Sequence, residues 1–516
     1  MKLMQIITFA AIDVGSYATE MKIYELSGQY GMKEIDCIQS SLELGKDAFT
    51  QGKIGVKLVD ELCEVLTDLK KIMEGYKVDA YRACATSAIR ESKNRLIMLD
   101  YIEKHTGIRL EVLGNSEQRF LDYKSIASNE REFNQIIQDG TAIVDVGGGS
   151  VQISLFENGS LITTQNIRSG NLRVREKLSK IEQTESRFEQ LVEELINNEL
   201  ESFEKLYLKD REIKNIIIIG DYLLELMQNS QEEKQITMIT REEFHKNYNE
   251  IMGQSQDHVM EKYDLLSESS SLVLSSLVIY KRFIEVCDAK MIWMPGFSLN
   301  DGIAYDYAEK KKIIRNGHSF EDDIIAEARN LAKRYMCNKN HIKMMESLSL
   351  GIFDKMKKNH GLGKRERLLL RIAAILHGCG KYISLTEVSD CSYSIIMATE
   401  IIGLSHLERE IIANVVRYNT REFEYYDVIT AHSEMHKEEY LLITKLTAIL
   451  RVANALDRSH QQKFENAKFM IKENQLIITV ETQEDITLEK ALFEEKADFF
   501  EEVFSIRPII RQRKHF

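Results

Sequence analysis

The residues of this 516-residue chain best suited to chemistry stand in two short turns. Gly147-Gly148-Gly149-Ser150 follows the apolar run Ala142–Val146, which carries Asp145 near its end. Glycines lack a Cβ, so their backbone N–H groups can approach and converge on a phosphate oxygen. A carboxylate at the strand end can hold a magnesium ion that neutralises phosphate charge. A glycine turn alone is also what a plain hairpin needs. However, Asp13-Val14-Gly15-Ser16 repeats the arrangement 132 positions earlier (145 − 13), and hairpin packing alone explains two facing phosphate loops much less readily.

The elements that must position these turns are themselves repeated. Residues 8–25 (TFAAIDVGSYATEMKIYE) and 141–157 (TAIVDVGGGSVQISLFE) each run an apolar strand into Asp-Val-Gly, turn, and leave as an alternating strand. Both patterns predict hairpins, and their separation predicts two similar lobes with a cleft between them. Val56, Leu58, Val59, Leu62, Val65, Leu66 and Leu69 predict a helix within 54–76, with strands near Ala83 and Val112. The second half repeats the alternation: a helix over Arg187–Tyr207, a buried strand Ile216–Ile219, a helix Leu272–Val286 and a strand Met291–Met294. Beyond residue 318 the apolar rhythm is helical, apart from a strand candidate at Lys468–Val480. The expected division is 1–128, 129–310 and 311–516: two α/β lobes and a helical domain.

Composition narrows the class. Lys and Arg number 68 against 81 Asp and Glu, a net charge of −13, which argues against broad coating of DNA or anionic lipid. Seven cysteines without a CxxC pair suit reduced thiols better than a disulfide frame. The apolar run at the amino terminus ends at Asp13, no cleavage site follows it, and no stretch reaches the ~18–20 apolar residues that span a bilayer. A soluble, cytoplasmic protein is expected, with no DNA or membrane partner. From Lys310 to Arg371 the balance reverses, with 16 basic against 7 acidic residues. This stretch is either a set of solvated helix faces or a track for a polyanion.

The DVGS turn, Ala85-Thr86-Ser87-Ala88-Ile89-Arg90-Glu91-Ser92-Lys93-Asn94, Glu111-Val-Leu-Gly-Asn-Ser-Glu117, the DVGGGS turn and Gly170-Asn-Leu-Arg173 occur in one order. In that order the chain resembles the exopolyphosphatase and guanosine pentaphosphate phosphohydrolase (Ppx/GppA) family over about its first 310 residues. The resemblance implies two actin-like lobes of the ribonuclease H-like (ASKHA) type, followed by an all-α HD-like domain. It implies removal of a terminal phosphate from polyphosphate or pppGpp with Mg2+ or Mn2+, in a homodimer. Glu117 then matches the general base that takes a proton from the attacking water. Arg90 matches the phosphate-binding arginine. Asp145 and Asp13 would serve the metal, and Gly15, Ser16, Gly147, Gly148, Gly149 and Ser150 the phosphoryl group.

Departures from the family pattern cluster at contacts. Gln152 stands where a metal-shell glutamate is usual, Tyr17 and Ala18 replace polar groups, and Gly220-Asp221-Tyr222 replaces a Gly-Gly-Thr turn. Ser269-Ser270-Ser271 stands near the usual Arg-Ala-Asp element. In the carboxyl third the His-Asp dipeptide reads His377-Gly378, the later aspartate position reads Asn454, and Cys391 stands where a histidine is expected. His341 and His377 alone are too few for a metal centre, so this domain is expected to carry a degenerate site, to pack on the lobes and to line a basic channel. Two functions follow as alternatives: a phosphoanhydride hydrolase, or a catalytically weak polyphosphate- or alarmone-binding protein on the same fold. A kinase fits less well, because no adenosine-binding glycine pair is evident.

Overall fold

The computed structural model describes residues 6–178, 188–219, 237–254, 267–314, 318–430 and 435–513. They group into two compact units, 1–319 and 320–516. Among the described residues no helix is long and apolar enough to cross a membrane.

The first unit holds two sheets. Strands β1 (Ile7–Val14), β2 (Ala18–Ser27), β3 (Gly31–Ser41), β4 (Ala80–Ala85) and β5 (Leu110–Val112) lie in the order β3-β2-β1-β4-β5. The second sheet contains β6 (Thr141–Val146), β7 (Val151–Glu157), β8 (Ser160–Ile167), β9 (Asn215–Ile219), β10 (Thr237–Thr240) and β11 (Met291–Met294), in the order β10-β11-β9-β6-β7-β8. Reading outward from the first strand, each sheet has an antiparallel meander on one side (β1-β2-β3; β6-β7-β8) and parallel strands on the other (β4-β5; β9-β11). The sequence repeat is therefore a duplicated topology, extended at one edge by β10.

The expected crossover helices are present. Val56–Gly75 buries Val59, Leu62, Cys63, Leu66, Leu69 and Met73 at three- and four-residue spacing, the stripe that faces a sheet. With Ala10, Ile12, Met21 and Ile23 they form one face of the first lobe's core. The other face (Phe9, Ala11, Tyr24, Leu26) is covered by Leu113 and Leu121, and by Leu299, Ile303 and Ala304 from the helix Leu299–Lys310. That late helix is held by polar contacts as well. Tyr24 Oη donates to Asp301 at 3.0 Å, buried Lys22 lies 3.2 Å from the same carboxylate, and Lys124 and Arg82 reach Asp306 at 2.8 and 2.9 Å.

The second unit is helical, with Phe320–Arg334, Lys339–Lys355, Lys364–Leu376, Val388–Ala398, His406–Tyr418, Lys437–Leu456 and Thr487–Phe504 as its main helices. It departs from an all-α reading in one respect. The expected late strand is a hairpin, β12 (Lys468–Lys472) with β13 (Gln475–Glu481), and β14 (Arg507–Arg513) pairs parallel to β13. A break at Glu473-Asn474, both with positive φ, makes the turn that the continuous apolar pattern concealed.

A Cβ at Gly302 would stand 2.0 Å from the Leu121 carbonyl oxygen, so the late helix lies on backbone rather than on a movable side chain. Gly302→Ala should therefore lower the stability of this unit by about 1–3 kcal/mol, the usual cost of overpacking. The urea midpoint of the purified variant against the parent measures it.

Candidate active site

Strand register builds the site symmetrically. Asp13 at the end of β1 lies opposite Glu20, and Asp145 at the end of β6 lies opposite Gln152. Each turn closes in the same way: Gly15 N donates to Ala18 O at 2.9 Å, and Gly147 N to Ser150 O at 3.0 Å. Behind the second turn, Tyr280 Oη accepts from Val146 N at 3.1 Å and donates to Ile219 O at 3.0 Å, tying the ends of β6 and β9 together.

The two turns touch. A Cβ at Gly148 would lie 2.9 Å from Ser16 Cβ, and one at Gly149 would lie 2.9 Å from Ser87 Cβ and Oγ. The Ser16 and Ser87 hydroxyls share a 2.7 Å hydrogen bond. Two ion pairs join the same elements: Arg173 with Glu91, and Arg175 with Glu43, the latter through two bonds of 2.9 and 3.2 Å. The Arg173 guanidinium also lies 4.8 Å from the Phe49 ring centre. Among the described residues no backbone carbonyl accepts from the amides of Gly148 or Gly149.

Carboxylates gather beneath the turns. Burial, then Glu20 and Asp145, pushes Asp13 up to about 8. Burial pushes Asp145 up to about 7 against the pull of Arg119. Burial, then Asp145 and Asp13, raises Asp122 well above its ordinary value, again against Arg119. Asp122 and Gln152 are each only 3% exposed. Asp13 Oδ1, Asp122 Oδ2 and Gln152 Oε1 are shut off from solvent and have no hydrogen-bond partner among the described residues. Orphaned oxygen acceptors of this kind suit a hard divalent cation such as Mg2+ or Mn2+. Among the described residues no three His, Cys, Asp or Glu side chains already stand in a metal-holding group.

Sequence reasoning missed Asp122, Arg119, Ser87 and Glu20 as members of this site. Glu20 was recoverable, since a hairpin turning at 14–18 sets it opposite Asp13. Asp122 and Arg119 share a helix face at i, i+3, but nothing local said that this face turns to the strand ends. Gly220-Asp221-Tyr222 lies outside the described residues, as do the side chains of Ser269–Ser271.

Glu117 and Arg90 have local partners. The Glu117 carboxylate accepts from Gly114 N at 2.8 Å, capping the first turn of its own helix, Asn115–Ala127. Arg90 Nη1 donates to Leu113 O at 2.7 Å. In the basic stretch, Arg329 and Arg371 pair with Glu346, Arg365 with Glu408 and Arg367 with Asp354, whereas Lys357, Lys358 and Lys364 are exposed.

In the second unit the two expected histidines have company. His341 Nδ1 lies 2.7 Å from Asp457, its Nε2 lies 3.0 Å from His377 Nε2, and the His460 ring stacks on it at 3.7 Å. The acidic partner is thus Asp457, three positions beyond the expected Asn454, because the helix Lys437–Leu456 ends just before it. Burial, then His341, holds His377 down to about 3.

The paired sheets of duplicated topology, with strand-end turns that touch, define an actin-like two-lobed architecture. Solved structures share it. An exopolyphosphatase from Cytophaga hutchinsonii is 17% identical with a TM-score of 0.52, covering 60% of this chain and 100% of that one. An exopolyphosphatase-like protein is 19% identical with a TM-score of 0.51, covering 60% and 99%. The Ppx/GppA phosphatase family profile matches residues 23–311, more than half of the chain, and the Ppx/GppA phosphatase domain III profile matches 325–498. The chain belongs to the Ppx/GppA phosphatase family. Among curated relatives, exopolyphosphatase 1 of Mycobacterium leprae is 27% identical over 144 residues, 28% of this chain and 41% of that protein. A bifunctional 3-dehydroquinate synthase/phosphatase of Fusobacterium nucleatum is 22% identical over 174 residues, 33% of this chain and 26% of that protein. The matches thus span well under half the length of these relatives.

The raised carboxylates fix the sign of a pH effect. A carboxyl whose folded value lies above its unfolded 3.8 stabilises the fold fully below about pH 4, and that stability is lost as pH rises through about 7 for Asp145. Melting temperatures measured from pH 4 to 8 without divalent cations should therefore fall more steeply for the parent than for Asp145→Asn. At pH 8 the variant should equal or exceed the parent.

Proposed function

We propose that the first unit is a phosphoanhydride hydrolase that releases terminal phosphate from inorganic polyphosphate or guanosine pentaphosphate. The observation that carries this reading is the meeting of two Asp-x-Gly turns above buried, unpartnered oxygens from Asp13, Asp122 and Gln152. The family membership and the exopolyphosphatases among the relatives support it.

In this reading the terminal phosphoryl group sits between the turns, with the free amides of Gly148 and Gly149 and the hydroxyls of Ser16 and Ser150 directed at its oxygens. Gly15 and Gly147 let the chain bend close enough for this approach. A bound Mg2+ or Mn2+, held by Asp13, Asp145, Asp122 and the Gln152 amide, would neutralise charge on the phosphoryl oxygens. Arg90 offers its planar donors to the same group once released from Leu113. Glu117 takes a proton from the attacking water. The water oxygen bonds to phosphorus, the bridging P–O bond breaks, and the shortened chain leaves with the electron pair.

A second reading has its own observation. Ser16 bonds directly to Ser87 while Gly148 and Gly149 lie against them, so the turns are shut on one another, and Gln152 offers only a neutral oxygen to a cation. This favours a protein that binds the polyanion with little turnover.

One assay separates the two. Phosphate release from long-chain polyphosphate and from pppGpp, with Mg2+ or Mn2+, should be measurable for the parent. It should fall about 10²–10⁴-fold in Glu117→Gln, the range for losing a general base, with substrate binding retained. Binding without release in the parent would leave the second reading standing. Gly148→Ala should impair both, because its methyl displaces Ser16.

A further inference from the structure

Two arginines reach across from the helix Asn171–Leu178 to glutamates of the first lobe, and they are not equally satisfied. Arg175 holds both oxygens of Glu43, at 2.9 and 3.2 Å, and reaches Glu176 as well. Arg173 meets Glu91 through one nitrogen, Nη2. Its Nε is shut off from solvent and has no hydrogen-bond partner among the described residues. A buried N–H without an acceptor costs stability, and an ion pair that serves only as a brace has no need to leave one.

The position of Arg173 shows what the missing acceptor is. Its backbone N donates to Gly148 O at 3.0 Å, so the side chain starts from the glycine turn itself. The guanidinium lies 4.8 Å from the centre of the Phe49 ring, and that ring would lie 3.0 Å from a Cβ at Gly149. On the other side Glu91 stands four residues after Ser87, on the same face of the helix Ser87–Glu91, and Ser87 is the residue that bonds Ser16. The Arg173–Glu91 pair is thus one helical turn from the contact that closes the turns. The two side chains keep 19% and 34% of their surface, so solvent screens their attraction and parting them costs little. An anion arriving there meets a fork of donors of which the carboxylate uses one arm.

We propose that Arg173 binds the phosphate next to the terminal one, and that Glu91 holds this guanidinium in the empty protein and yields it to the ligand. The assignment rests on the phosphoanhydride reading of the turns and adds to it the residue that reads chain length. In that reading the terminal phosphoryl group lies on the amides of Gly148 and Gly149. Because the Phe49 ring lies against both Gly149 and the guanidinium, Arg173 serves the following phosphate rather than that one. A planar guanidinium takes two oxygens of one phosphate through adjacent nitrogens, and Nε is the nitrogen now without an acceptor. Free orthophosphate has no second phosphate and gains nothing from Arg173, so the residue favours the substrate chain over the released product.

Calorimetry on the full chain with Mg2+, carrying Glu117→Gln so that turnover does not consume the ligand, compares tripolyphosphate with orthophosphate. Adding Arg173→Gln should weaken tripolyphosphate about 10–100-fold, the range for a hydrogen bond to a charged group, and should leave orthophosphate unchanged. Adding Glu91→Gln should do the opposite and tighten tripolyphosphate, because the guanidinium then has no carboxylate to leave. A pair that only braces the two elements gives the same sign for both variants. Tripolyphosphate binding that is unchanged or weaker in Glu91→Gln, which keeps Arg173 whole, would overturn the assignment even where Arg173→Gln does not fold. If neither ligand binds before these substitutions are made, the phosphoanhydride reading itself fails and takes this assignment with it.

Discussion

Two turns from separate sheets touch because Gly148 and Gly149 carry no side chain. Any Cβ there would sit 2.9 Å from Ser16 or Ser87, closer than carbon atoms pack. The rest of the first unit serves that contact. The hairpins bring the turns to strand ends, Tyr280 ties β6 to β9 beneath one of them, and the Arg173–Glu91 and Arg175–Glu43 pairs hold the neighbouring elements together.

The same geometry creates an electrostatic problem. Strand ends that converge carry Asp13 and Asp145 toward each other, and Asp122 arrives from a helix. Burial disfavours each charge, and mutual repulsion adds to it. Arg119 offsets part of this, yet among the described residues nothing partners the oxygens of Asp13, Asp122 and Gln152. A fold that keeps unsatisfied buried acceptors forgoes stability, and such sites concentrate where a protein binds or reacts. Binding a cation or a protonated ligand group is the physical resolution that leaves the backbone unchanged.

The second unit holds a buried polar cluster of its own. Loss of the usual His-Asp dipeptide at His377-Gly378 argues for a dead site when only the motif is read. In three dimensions Asp457 and His460 come from the far end of a long helix and the loop after it, and they rebuild a polar pocket around His341. Spacing along the chain could not find this, since His341 and Asp457 are 116 positions apart.

What the amino-acid order settled by itself was local and periodic. Apolar alternation marked both hairpins, three- and four-residue stripes marked the crossover helices, and a repeated Asp-Val-Gly placed the same turn at the head of each sheet. Those patterns are legible because they arise between residues a few positions apart. Asp122 among the carboxylates, Ser87 beneath Gly149, the pairing of β14 with β13 and the meeting of His341 with His377 were decided only by tertiary packing. Each depends on which face of one element is pressed against another far along the chain, and the helix or strand period leaves that choice open until the cores close.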